Sequence, residues 1–325
     1  MSSYASHGQT QKKLTIDVGS SEIVDSSFVI NKKIYTRRHV NVIDSSIFSD
    51  DNMIDVKCIG SGSGGRVFLK RYTKTGQLYA VKRISLLLKE KRDQLEKELS
   101  VLQLIESDSL VQFYGSYVSN YDAFIVLEYM DRGSLQDILQ DKVGLAENVV
   151  AAIIYQLLLG LQILKQHNII HRDVKPGNIL LNSRGEVKLT DFGISRGLED
   201  RSLAVTNIGT AYYMSPERVN VKGYNSKAEI WSVGIILLEC LRGKFPFPAI
   251  YNPLDYQILV ESDLTPYYKD TNEEIYELLT YCFTKDAHRR PPAETLIGAS
   301  WFSKMNIHNK VDCKRIMKNY LDSHR

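Results

Sequence analysis

His171-Arg172-Asp173-Val174-Lys175-Pro176-Gly177-Asn178, followed by Asp191-Phe192-Gly193, is the stretch that decides how this chain is read. It sets a carboxylate, an ammonium, an amide and a second carboxylate on two nearby loops. Those groups suit phosphoryl transfer from a metal-bound nucleotide. Asp173 can accept the proton of an incoming hydroxyl, and Lys175 can neutralise charge on the migrating phosphoryl group. Asn178 and Asp191 offer the oxygens that a hard cation such as magnesium prefers. A chance polar loop beside an unrelated turn would not reproduce this order and spacing.

Working outward, Gly60-Ser61-Gly62-Ser63-Gly64-Gly65-Arg66-Val67 fits G-x-G-x-x-G-x-V. Glycines let backbone N–H groups approach phosphate oxygens with no side chain in the way. The run joins two expected strands, whereas a dinucleotide loop would lead into a helix. Tyr79-Ala80-Val81-Lys82 ends an apolar strand with an ammonium, placed to pair with phosphates. The helix that follows should present a glutamate to Lys82. Glu96 and Glu98 compete, and Glu98 is chosen because Leu95 and Leu102 share its face. Leu127 is expected at the back of a base pocket, with the backbone around Glu128-Tyr129-Met130 binding the base. An ordinary core role for Leu127 is compatible with that.

The rest of the chain reads as a small sheet followed by helices. Val56 and Ile59, Val67 to Leu69, and Tyr79 to Val81 suggest three strands between glycine turns. Lys89 to Ile105 has a helical pattern, and two strands follow near Val111 to Tyr117 and Ala123 to Glu128. Val149 to Gln166 carries a broad apolar face read as core, and Ile230 to Leu241 is apolar nearly all round. The Pro246/Pro248 cluster breaks the helical pattern after it. Helices are also expected over Asn272 to Phe283 and Pro292 to Phe302. The last two dozen residues are polar and basic, with one surface helix expected. Residues 1 to about 50 lack a sustained period and read as a flexible arm.

Bulk properties exclude several classes. The 325 residues carry 41 basic and 38 acidic side chains, a net +3 that does not suggest nucleic acid. Cys58, Cys240, Cys282 and Cys313 form no C-x-x-C pair and read as reduced thiols. No stretch is expected to span a membrane. Ser2 stands where myristoylation needs glycine, and the N-terminus lacks a signal-peptide core. A cytoplasmic or nuclear location is therefore expected.

Together these motifs resemble the eukaryotic protein kinase family over roughly residues 53–302. The resemblance implies an α+β, bilobal fold: a five-stranded antiparallel N-lobe sheet with one helix (53–130), and a mainly helical C-lobe (131–302). An arm (1–52) and a tail (303–325) would flank them. ATP and Mg2+ are the implied cofactors. Gly60, Ser61, Gly62, Gly65, Val67, Ala80, Lys82, Glu98, Leu127, Glu128, Met130 and Ser134 would bind the nucleotide. Asn178 and Asp191 would hold the metal, and Asp173, Lys175 and Lys82 would serve catalysis. Met214-Ser215-Pro216-Glu217-Arg218 matches the family's A-P-E position, with Glu217 expected to pair with Arg290. Lys175 in H-R-D-x-K is the form of Ser/Thr and dual-specificity kinases.

A finer resemblance is to the MAP kinase kinases, carried by Met130-Asp131-Arg132-Gly133-Ser134-Leu135, by Asn182-Ser183-Arg184-Gly185-Glu186-Val187-Lys188-Leu189 and by Gly209 to Arg218. It implies a MAP kinase as substrate and an upstream activating kinase as partner. Ser202 and Thr206 resemble that subfamily's twin phosphorylation sites, with Arg172 and Arg196 as phosphate partners. A basic–apolar docking motif in the arm is expected at Lys12-Lys13-Leu14-Thr15-Ile16 or at Arg37-Arg38-His39-Val40-Asn41-Val42. The rivals are a Ser/Thr kinase at another cascade level and a catalytically silent scaffold. Three departures stand out: Glu229 where the family has aspartate, Gly177 for the usual serine or threonine, and an unusual stretch between Ser202 and Gly209.

Overall fold

The computed structural model describes residues 48–62, 65–191 and 212–324. They form two units, one drawn from Met1–Glu96 and Phe113–Leu127, the other from Lys97–Gln112 and Glu128–Arg325.

The first unit is built on β1 (Met53–Gly62), β2 (Gly65–Tyr72), β3 (Leu78–Ser85), β4 (Phe113–Ser119) and β5 (Asp122–Glu128), in the order β1-β2-β3-β5-β4. The β2–β3 turn closes through Tyr72 N–H to the Gln77 carbonyl at 2.9 Å, with Gly76 at φ 74°. The alternation of β3 decides its two faces. Tyr79 and Val81 join a buried cluster with Phe48, Met53, Tyr72, Tyr117, Phe124 and Val126. Ala80 and Lys82 point the other way. Phe48 packs edge-on against Tyr72 and Tyr79, with centroids 5.8 and 5.4 Å apart. The sequence reading extends a flexible arm to residue 52, whereas Phe48 is already core. An isolated phenylalanine between Ile47 and Ser49 gave no periodic signal.

Helix α1 (Lys89–Leu104) crosses the division between the units. Leu95, Leu99 and Leu102 are buried, as the helical spacing requires.

The second unit holds α2 (Leu135–Ile138), α3 (Glu147–Gln166), β6 (Ile179–Leu181), β7 (Val187–Leu189), α4 (Pro216–Val219), α5 (Ala228–Arg242), α6 (Pro253–Glu261), α7 (Glu273–Cys282), α8 (Ala293–Leu296), α9 (Ser300–Lys304) and α10 (Lys310–Ser323). By length and composition α3 could cross a membrane, with a mean hydropathy of 1.6 over its apolar window. The expectation that no segment approaches a span is corrected to that extent. In the fold α3 is core: Val150, Ile153, Ile154, Leu158 and Leu164 have no exposed surface. Helix α5 is buried nearly all round and stops at Gly243, which takes φ 68°. The stop is thus a left-handed glycine cap rather than the later prolines. The helical stretch expected from Pro292 to Phe302 consists of the two short helices α8 and α9. The polar tail contains the expected surface helix, α10, with Val311 and Arg315 exposed and one stripe turned into the core. Cys313, Met317 and Leu321 are buried, and Tyr155 of α3 donates to the His308 carbonyl at 3.4 Å.

Candidate active site

In the first unit, strand register brings together the residues expected at the nucleotide. Gly60 lies opposite Val67, Ser61 opposite Arg66 and Gly62 opposite Gly65. On the other side of β2, Val67 pairs with Lys82 and Leu69 with Ala80. Directly opposed residues share a face, so Gly60, Val67, Lys82 and Ala80 form one patch. Gly65 sits at φ 123°, and a Cβ there would come within 2.2 Å of the Arg83 carbonyl oxygen. Only glycine fits, because both the conformation and the space exclude a side chain. Lys82 is buried, as is Leu127. On α1, Glu98 is buried and Glu96 is half-buried.

In the second unit the catalytic loop is held by its own polar groups. Asn178 donates through Nδ2 to the Asp173 carbonyl at 2.8 Å and to Asp173 Oδ2 at 3.0 Å. Lys175 Nζ lies 3.0 Å from the same Oδ2. Asp173 Oδ1 is buried and has no hydrogen-bond partner among the described residues. One carboxylate oxygen is therefore fixed by the loop and the other is left able to accept. His171 is fully buried, and burial depresses its basicity, so the ring is neutral. Its Nε2 meets the Thr190 carbonyl at 2.9 Å, while the Asp173 N–H donates to Nδ1 at 3.3 Å. That network assigns the proton to Nε2. Thr190 N–H donates to the Asn178 carbonyl at 3.0 Å, which ties the loop to neighbouring Asp191. Asp191 is exposed and takes φ 55°.

This donor set fits a magnesium ion that arrives with a nucleotide. The Asn178 amide turns its nitrogen to Asp173, which directs Oδ1 away from it, and Asp191 adds one exposed carboxylate. Among the described residues no group of three or more His, Cys, Asp and Glu could cage a metal alone. Magnesium commonly takes one or two protein oxygens and completes its shell with phosphates and water.

Two buried carboxylates lie on the helices that follow, and one of them braces the loop. Glu229, on α5, accepts the Arg172 N–H through Oε1 at 2.8 Å. The added methylene, relative to the expected aspartate, is accommodated. Burial pushes its carboxyl up to about 7, against the opposing pull of the Arg172 amide and of Arg218. Arg218 donates to the Arg172 carbonyl at 2.8 Å, and Arg172 itself holds φ 71°. Glu217 meets Arg290 in a two-pronged pair at 2.7 and 3.1 Å, as the motif reading expects. Burial works upward on Glu217, but the Arg290 guanidinium holds its carboxyl below the ordinary value.

The segment after β5 is stitched to the β6–β7 hairpin. Arg132 N–H donates to the Leu181 carbonyl at 3.0 Å and Leu181 N–H to the Gly133 carbonyl at 2.9 Å. The Ser134 hydroxyl, expected at the nucleotide, caps α2 by donating to Asp137 Oδ2 at 2.7 Å and accepting the Asp137 N–H at 3.2 Å. The Glu128 side chain turns into a charge cluster: Lys188 Nζ donates to its two oxygens at 2.8 and 3.0 Å, and Arg184 Nη2 to Oε1 at 2.9 Å. The Glu128 side chain is thus committed to this cluster, and its backbone N–H donates to the Gln112 carbonyl at 2.8 Å. Sequence reasoning passed over Lys188, although a lysine inside the apolar strand Val187–Leu189 is itself a signal of a buried partner. Among the described residues Arg172 Nε is buried and unpaired. Ser202, Thr206, Arg196, Phe192 and Gly193, and both candidate docking motifs, lie outside the described residues.

Residues 53–302 match the family described as "Protein kinase domain". The chain belongs to the protein kinase family. Among relatives, it is 38% identical over 273 residues to Mitogen-activated protein kinase kinase 2 of Arabidopsis thaliana, covering 80% of this chain and 74% of that one. It is 36% identical over 271 residues to Mitogen-activated protein kinase kinase 3 of the same plant, covering 81% of this chain but 52% of the relative. It is also 37% identical over 270 residues to Serine/threonine-protein kinase dst1 of Dictyostelium discoideum, covering 80% of this chain and 36% of the relative. The chain spans about half the length of the second of these and about a third of the third. This kinase therefore resembles MAP kinase kinases, with a serine/threonine-protein kinase also among its relatives.

Proposed function

We propose that this protein kinase is a dual-specificity MAP kinase kinase. It transfers the terminal phosphoryl group of ATP to threonine and tyrosine in the activation loop of a MAP kinase. Asp173 carries the reading, because its Oδ1 is buried yet free to accept among the described residues. A substrate hydroxyl meeting that oxygen would lose its proton to Asp173 as the new P–O bond forms and the bond to the leaving diphosphate breaks. A positioned base of this kind contributes about 10²–10⁴ in rate. Lys175, 3.0 Å from Asp173 Oδ2, places positive charge beside the transferring group. Asn178 and Asp191 would hold magnesium, which supplies charge neutralisation on the phosphates. Lys82 and the glycine hairpin would hold the phosphates, and the backbone of Glu128 to Met130 the adenine.

Activity would be switched on by phosphorylation of Ser202 and Thr206. The Arg172 Nε, unpaired among the described residues, supports an arginine awaiting an anion. A Ser/Thr kinase at another cascade level is the second reading, favoured by the identity to dst1. Phosphoamino-acid analysis of a kinase-dead MAP kinase after incubation with enzyme and radiolabelled ATP separates the two. Label on both threonine and tyrosine, lost in Ser202→Ala/Thr206→Ala after treatment with an activating kinase, is the expected result. Label confined to serine and threonine removes dual specificity. Full activation of the double variant removes the switch.

A further inference from the structure

Helix α10 lies beyond residues 53–302, yet it sends a charge into the cluster behind Glu128. Lys314 Nζ donates to Glu186 Oε1 at 2.7 Å. The other Glu186 oxygen accepts from Asn182 Nδ2 at 2.7 Å and from Arg184 at 2.7 and 3.1 Å. Arg184 and Lys188 then reach Glu128. Two carboxylates thus share three cations, and burial makes each missing partner costly. Burial works to raise the Glu186 carboxyl, but hydrogen bonds from Lys314, Asn182 and Arg184 hold it well below the ordinary range.

The backbone repeats the same connection. Gly185 sits at φ 76°, and a Cβ there would meet the Lys314 carbonyl oxygen at 2.1 Å. Helix α10 is seated directly on the hairpin turn and anchored by buried Cys313 and Met317. On the other side of that turn, Ser183 N–H donates to Asp131 Oδ1 at 2.8 Å, and Asn182 Nδ2 lies 3.8 Å from Met130 Sδ. The turn over 182–186 is therefore held between α10 and residues 128–133. Lys188 Nζ is 2.8 Å from Glu128 but also 3.7 Å from Glu186 Oε2. Without Lys314, the under-paired Glu186 would draw Lys188 away from Glu128.

We propose that Lys314 is a positioning residue for the nucleotide: acting through Glu186 and the 182–186 turn, it fixes the backbone of Glu128–Met130. This rests on the reading that the Glu128–Met130 backbone binds adenine. A helix outside the span that matches the family is thereby part of the ATP site's support.

The test compares wild type, Lys314→Met, Lys314→Arg and Gly185→Ala, with Arg315→Ala as a control on the exposed face of α10. Steady-state kinetics give kcat and the KM for ATP and for the protein substrate. Amide hydrogen exchange over 128–133 is followed with and without a non-hydrolysable ATP analogue. Lys314→Met should raise the KM for ATP about three- to tenfold, with kcat and the protein KM nearly unchanged. Exchange over 128–133 should quicken without nucleotide. Lys314→Arg should restore both, Gly185→Ala should mimic the loss, and Arg315→Ala should change neither. A merely structural helix would lower melting temperature and active fraction, hence kcat, without moving the KM for ATP. That result overturns the proposal, as does an unchanged KM with unchanged exchange in Lys314→Met. If the analogue fails to slow exchange over 128–133 in wild type, the adenine reading falls and this inference with it.

Discussion

Glu229 makes the stability of this kinase depend on pH in a direction unusual for a carboxylate. The side chain is buried on α5, and burial raises its carboxyl to about 7 in the folded chain against an ordinary 4.5. The native state therefore keeps the proton longer than the unfolded state. The corresponding stability is fully present below about pH 4.5 and is lost as pH rises through about 7. A difference of about 2.5 at about 1.4 kcal/mol per pH unit amounts to about 3 kcal/mol. About 2.5 kcal/mol of it should fall between pH 5 and pH 8. Glu229→Gln retains the acceptor for the Arg172 N–H but never ionises. Urea unfolding of wild type and Glu229→Gln at matched ionic strength isolates the group, because all other titrations cancel. The wild type should lose about 2.5 kcal/mol relative to Glu229→Gln across that range. Parallel pH profiles for the two proteins would refute the reasoning and mean that Glu229 is ionised throughout.

Three further outcomes are expected. Glu217→Ala strands the buried Arg290 guanidinium and should cost about 3–5 kcal/mol in urea unfolding. Gly65→Ala forces a Cβ against the Arg83 carbonyl at an unfavourable φ. It should cost about 1–3 kcal/mol and raise the KM for ATP. Asp191→Ala should leave nucleotide affinity in chelator unchanged and abolish the gain from added magnesium, as titration calorimetry with and without the metal would show.

The catalytic loop and the glycine hairpin were legible because their chemistry is local. Asp173, Lys175 and Asn178 stand close in sequence, and the structure brings them within hydrogen-bond reach. Lys82 likewise stands out locally as an ammonium ending an apolar strand, whereas Ala80 was named only through the family resemblance. Glu217 and Arg290 were paired only through the family resemblance, since nothing local links residues so far apart. What the sequence concealed depends on distant partners. The tail was read as polar because only Cys313, Met317 and Leu321 mark its buried stripe. The Glu128–Lys188–Arg184–Glu186–Lys314 cluster joins three separate segments, so no window of sequence contains it. Ser134 matched a nucleotide-binding position, but its short side chain is an equally good helix cap, and the local geometry favoured the cap.

Rates of phosphoryl transfer to a kinase-dead MAP kinase, measured for wild type and Asp173→Asn with ATP affinity determined in parallel, test the central claim most directly. If Asp173 receives the substrate proton, the variant should bind ATP as wild type does while kcat falls about 10²–10⁴-fold. An Asp173→Asn enzyme that keeps more than about a tenth of wild-type kcat would contradict the account, because Asp173 would then not be the base.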